Sequence, residues 1–164
     1  MNVYNITSEI FNIIKESDKT ELEKLKQKYE NSNIIFEYEL KNAWYIPIFA
    51  ITIINSNENN LIIYEFKKGI KTHTIKKEKI QSIIELIKQY KDIFSSENYY
   101  IENSYYLDGY IYNIILSDIE NLYNFINLNN IGSYAPNVQH LIKLLDSIFE
   151  KFDINDDYKP YKYT

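Results

Sequence analysis

Ile34-Ile35-Phe36-Glu37-Tyr38-Glu39-Leu40 alternates in polarity, with Ile35, Glu37 and Glu39 on one side and Phe36, Tyr38 and Leu40 on the other. A period of two predicts a strand, and the glutamates predict that one of its faces is half-exposed. Downstream, Ala43 to Ile54 is apolar at both parities, as in a central strand covered on both faces. Pro47 interrupts it; with no N–H to give, it implies a bulge or an edge position. Asn55 to Asn60 is a polar turn, and Leu61 to Phe66 returns as a strand. Lys67-Lys68-Gly69 is a tighter turn before a short strand over Ile70 to Ile75. Ile80, Ile83, Ile84 and Ile87 follow the i, i+3, i+4, i+7 rule within a helix over 77–93. Tyr99 to Leu107 is strand-like, Asp108-Gly109 is a hairpin signal, Tyr110 to Leu116 returns, and Asn121 to Leu128 is a further strand. Pro136 suits the first turn of a last helix over 136–152, whose stripe is Val138, Leu141, Ile142, Leu145, Phe149 and Phe152.

Upstream, residues 5–30 predict a helical segment in two pieces. Ile6, Ile10, Ile13 and Ile14 recur at helical spacing, and Asp18 followed by Glu21 resembles a capping box that restarts the helix. The apolar stripes of these helices need a sheet face to cover. The expected fold class is therefore α+β: a mostly antiparallel sheet of about six strands, packed by an N-terminal helical segment, a middle helix and a C-terminal helix. Residues 1–152 form one expected domain, and 153–164 read as a polar, flexible tail. An internal echo joins Ile53-Ile54-Asn55-Ser56 and Asn60-Leu61 to Ile114-Ile115-Leu116-Ser117 and Asn121-Leu122, as if a hairpin-then-helix unit were used twice.

The composition narrows the function classes. The chain has 164 residues, a net charge of −5, two histidines, no cysteine and no arginine. The negative balance disfavours binding to a phosphate backbone and suits a basic protein partner. Without arginine the chain lacks the bidentate fork that grips carboxylate and phosphate. Seventeen tyrosines accompany an abundance of isoleucine, asparagine and lysine. All four have AT-rich codons, so an AT-rich genome explains them as well as a recognition surface does. The longest apolar stretch is too short for a membrane helix, which needs about 20 residues, and Met1-Asn2-Val3-Tyr4 opens no signal peptide. A cytoplasmic location is expected.

His73 and His140 have no acidic residue at a spacing that would orient them, and they read as ordinary surface or boundary histidines. Glu37 with Glu39, Asp118 with Glu120, and the group Asp153, Asp156, Asp157 read as solvated charge. The last group lacks the glycine and terminal glutamate of a calcium loop. Lys67, Lys68, Lys71, Lys76, Lys77 and Lys79 read as a solvated turn and helix start. Gly69, Gly109 and Gly132 are too isolated to cradle a phosphate. No catalytic residue, metal site or cofactor is expected. Tyr99, Tyr100, Tyr105, Tyr106, Tyr110 and Tyr112 crowd one expected hairpin, where exposed tyrosine suits an interface.

Leu107-Asp108-Gly109-Tyr110-Ile111-Tyr112, followed by Tyr134-Ala135-Pro136 and the closing helix, resembles small bacterial immunity proteins of polymorphic and contact-dependent toxin systems. The likeness covers residues 107–152. It implies specific inhibition of one toxin domain and supplies no catalytic residues to carry over. The residues expected to meet a partner are Tyr105, Tyr106, Asp108, Asp118 and Glu120. The alternatives are a small-molecule or glycan module with a tyrosine-lined pocket, and a phage- or mobile-element inhibitor of a host defence protein.

Overall fold

The structure, a computed structural model, describes residues 24, 27, 33–99, 109–129 and 138–160. Among them lies a six-stranded antiparallel sheet: β1 (Ile34–Lys41), β2 (Pro47–Ile54), β3 (Leu61–Glu65), β4 (Gly69–His73), β5 (Ile111–Ser117) and β6 (Leu122–Asn129). Its order is β4-β3-β2-β1-β5-β6. The helices are α1 (Lys77–Lys88), α2 (Lys91–Phe94) and α3 (Gln139–Phe149). Of the helix expected over 5–30, Lys24 and Gln27 are helical and exposed, and the rest lies outside the described residues. The strand expected from Tyr99 to Leu107 lies outside them too, apart from Tyr99.

Residues directly opposite across a pair of strands share a face. Phe36 pairs with Ile53 and Leu116, Tyr38 with Ile51 and Ile114, and Leu40 with Phe49 and Tyr112. These side chains form one apolar cluster with Ile80, Ile83, Ile84 and Ile87 of α1 and Leu141, Leu144, Leu145, Ile148 and Phe149 of α3. Isoleucine is only a fair helix former, so α1 exists because its stripe is covered. The segment expected as one helix over 77–93 is two, because residues 89 and 90 leave the helix and Tyr90 sits at φ −97°, ψ 2°.

Two expectations fail at β1 and β2. The glutamate side of β1 was expected to be half-exposed, yet Glu37 is 7% exposed and Glu39 1%. A strand with hydrogen-bonded neighbours on both sides has no edge, and here both of its faces are covered. Glu39 is paired with Lys41 at 2.6 Å and accepts from Asn113 Nδ2 at 3.3 Å. Charged and hydrogen-bonded partners of this kind are what a buried carboxylate requires. Beside this row lies a second small cluster of Ala50, Tyr64 and Ile70.

The stretch from Ala43 to Ile54 is not one strand. Ala43 to Ile46 form the β1–β2 turn, and Pro47 opens β2, where the register shifts between Leu40 and Lys41. Proline fits there because a first strand position at a bulge needs no N–H.

Residues 153–160, part of the segment read from the sequence as a tail, lie against the sheet. Ile154 is buried, and residues 156–158 form a short 3-10 turn. The Tyr158 ring stacks on Phe49 at 4.5 Å. The Tyr38 hydroxyl donates to the Tyr158 carbonyl at 2.8 Å, and the Tyr158 hydroxyl donates to Glu65 Oε2 at 3.0 Å. Burial, followed by the bond to Glu65, raises the Tyr158 phenol above its ordinary pKa. Tyr158→Ala is expected to cost about 2–3 kcal/mol, while Tyr158→Phe, which keeps the stack, costs about 1 kcal/mol. Urea denaturation of both variants checks this.

Tyr99 belongs to an aromatic cluster with Phe94 and Phe125, ring centroids 5.1 and 6.3 Å away. Its buried hydroxyl has no hydrogen-bond partner among the described residues, and burial pushes the phenol up to about 12 from 10.0. The unfolded chain loses this proton first as pH rises. Ionisation of this group therefore leaves stability unchanged below pH 10 and lowers it between 10 and about 12. Tyr99→Phe is expected to gain about 1 kcal/mol at neutral pH and to resist alkaline unfolding better than the parent, as read from denaturation midpoints across pH.

Candidate partner-binding surface

The hairpin turns leave the sheet at two opposite ends. Lys41 lies opposite Ile111 and Phe36 opposite Leu116, so the β5–β6 turn emerges where β1 begins and the β1–β2 turn where β1 finishes. Asp118 and Glu120 occupy the β5–β6 turn. Tyr105, Tyr106 and Asp108 lie outside the described residues.

Asp118 and Glu120 have different surroundings. Asp118 is buried, and its carboxylate organises the turn. Oδ1 accepts from the N–H of Glu120 at 3.1 Å and of Asn121 at 2.6 Å, and the Asn121 amide reaches Oδ2 at 3.2 Å. The Asp118 N–H donates to the Asn121 carbonyl at 3.2 Å. Glu120 is exposed. Between them, Ile119 is held at φ 80°, with its N–H donating to Ser117 Oγ at 3.1 Å. A β-branched residue at this φ is a steric outlier, because its branched Cβ crowds the backbone. The side-chain bonds of Ser117 and Asp118 over-determine the turn and hold it there.

The strained residue is also exposed: Ile119 at 59%, Leu122 at 67% and Ile126 at 53%. On the same strand Asn124 is exposed, while Tyr123 and Phe125 turn inward to Phe94. Asn127, at φ 55°, sits within β6 where its register with β5 shifts, its N–H donating to Asn113 Oδ1 at 2.9 Å. Sequence reasoning named Asp118 and Glu120 here and passed over Ile119. An isolated isoleucine amid Ser, Asp, Glu and Asn was the available signal.

The opposite end carries Trp44, 70% exposed, and Tyr45, 55% exposed. The Asn42 side chain pins the turn, Oδ1 accepting from the N–H of Trp44 at 2.9 Å and of Ile46 at 3.0 Å. Tyr45 takes φ 60°. Phe66 donates its N–H to the Ile48 carbonyl at 2.9 Å, which sets the lysine-bearing β3–β4 turn beside it. There Lys67 lies over the Phe66 ring at 5.6 Å, and Lys68 meets Glu65 at 3.2 Å. Sequence reasoning missed this turn, although Asn42 and Pro47 bracket it.

Tyr112 is a core residue, 2% exposed, with its ring 6.0 Å from that of Tyr38. His73 and His140 are both exposed. Among the described residues no three metal-capable side chains gather, and no helix is long and apolar enough to cross a membrane. No protein-family model, curated protein or solved structure matches the chain.

Asp118→Ala is expected to lower stability by about 2 kcal/mol, because it leaves the turn's N–H groups without their acceptor. Glu120→Ala should move it by less than about 0.5 kcal/mol. Thermal or urea denaturation of the pair separates the two roles.

Proposed function

We propose that the chain is a non-enzymatic interaction protein, and that it acts as an immunity protein which binds and neutralises a cognate, basic bacterial toxin domain. One observation carries this reading: large apolar side chains stand exposed on side-chain-braced turns of an otherwise filled sheet. Exposed apolar groups held in fixed geometry suit recognition, since aromatic and aliphatic anchors supply most of an interface's binding energy. The net charge of −5 favours fast encounter with a cationic protein. The resemblance of residues 107–152 to immunity proteins points the same way.

In this reading the protein works in the cytoplasm. Tyr105, Tyr106 and Asp108 remain proposed contacts, together with Glu120. The N-terminal helical segment expected over 5–30, with the middle and C-terminal helices, completes the packing of the sheet.

The experiment is direct. The protein encoded immediately upstream in the native genome is expected to end in a basic toxic domain. Co-expression of the chain should restore growth to cells making that domain, and the two should co-elute as a complex. A neighbour without toxicity, or a toxic domain that the chain neither binds nor restrains, overturns the proposal.

A further inference from the structure

Two apolar projections leave this sheet from opposite ends, and the charges beside them differ. The Trp44–Tyr45 turn stands next to Lys67 and Lys68, both exposed, and only the second is offset by the neighbouring Glu65 at 3.2 Å. From Ser117 to Asn129 the only charged residues are Asp118 and Glu120, both acidic, and only Glu120 is exposed. A cationic partner is attracted to the second and repelled by the first. We infer that the β5–β6 turn is the anchor for the partner: Ile119 and Leu122 enter an apolar pocket on a cationic protein, and Glu120 meets a lysine or arginine at the pocket's rim. This assignment rests on the function proposed above and names the surface that serves it.

The backbone supplies an independent argument. A turn that needed only to reverse the chain would carry asparagine or glycine at φ 80°, since either adopts it at little cost. The chain carries isoleucine there, exposed, where its side chain adds little to the core. Ser117 and Asp118 spend their side chains on holding that residue in place. Strain maintained at an exposed apolar side chain is the mark of a group pre-set for a partner, because an anchor already in its bound conformation loses little entropy on docking. The buried Asp118 is thus a positioning residue, and Ile119, Glu120 and Leu122 are the contacts.

Stability and binding should therefore move in opposite directions when the strain is released. Ile119→Asn keeps the N–H that bonds to Ser117 and accepts the positive φ. Its melting temperature is expected to rise by about 2–4 °C. Its affinity for the upstream-encoded toxic domain should fall about tenfold or more, as for loss of a central anchor. Leu122→Ser should weaken binding without raising stability. Glu120→Gln should slow association and flatten its salt dependence. His73→Ala, on the opposite edge strand, should bind as the parent does.

The outcomes are distinguishable. If the parent protein fails to bind the domain, the functional reading falls and the anchor falls with it. If the parent binds and Ile119→Asn binds equally well, the anchor is refuted while the function stands. An Ile119→Asn variant no more stable than the parent refutes the strain argument by itself. Loss of binding in Trp44→Ala with Ile119→Asn unaffected places the interface at the other end of the sheet.

Discussion

The position of β1, hydrogen-bonded to β2 on one side and β5 on the other, sets the terms for the rest of the molecule. A strand so placed offers neither edge to water, and covering both of its faces commits every side chain along it. On the helical face this gives the Tyr38 ring four functions at once. It meets Phe149 edge-on at 5.0 Å, lies near Phe49 and Tyr112, and donates its hydroxyl to the carbonyl of Tyr158. One residue thereby couples β1, β2, β5, α3 and the C-terminal turn. On the other face the same constraint forces Glu39 inside, where Lys41 and Asn113 satisfy it. Asn113 then passes the connection to Asn127, so a polar row runs from β1 across β5 to β6.

The turns at the two ends of the sheet are built on one plan with different chemistry. A polar side chain near the start of each turn accepts two backbone N–H groups: Asn42 from Trp44 and Ile46, Asp118 from Glu120 and Asn121. In each, a large non-glycine residue is held at positive φ. The β2–β3 turn solves the same problem with a buried amide. Asn60 donates to the carbonyls of Ser56 and Ile75 and accepts from the Ile75 N–H, fastening the turn to the segment that leads into α1. Local side-chain bonds of this kind compete with regular structure, and here they stiffen the places where it stops.

What the sequence reveals follows from the range of each interaction. The stripe of α1 is legible because Ile80, Ile83, Ile84 and Ile87 encode their common face in their spacing, whatever covers it. The strands from Leu61 and from Asn121 are legible because Asn and Gly punctuate alternating runs, and both returning strands open on a leucine, Leu61 and Leu122. Ala43 to Ile46 misleads because an apolar turn imitates a buried strand, and only the flanking Asn42 and Pro47 betray it. The packing of residues 153–160 is illegible for the opposite reason. Their polar composition carries no local signal, and what holds them is contact with Tyr38, Phe49 and Glu65, far away in the chain. The exposure of Glu39 was misjudged because alternation reports that a strand has two faces, not how many layers cover them. At the candidate surface, the acidic pair was visible and its division of labour was not: which carboxylate turns inward to the backbone depends on the turn's geometry.

Trp44 is the only tryptophan in the chain, and it stands at the tip of a turn, mostly in water. An indole that is already hydrated scarcely changes its surroundings when the polypeptide melts, so the emission usually used to follow unfolding is nearly blind to collapse of this core. The same residue is a sensitive reporter of its own end of the sheet, since anything that settles over it dries the ring and shifts its light to the blue. One exposed side chain thus makes the molecule optically quiet about its folding and informative about its contacts.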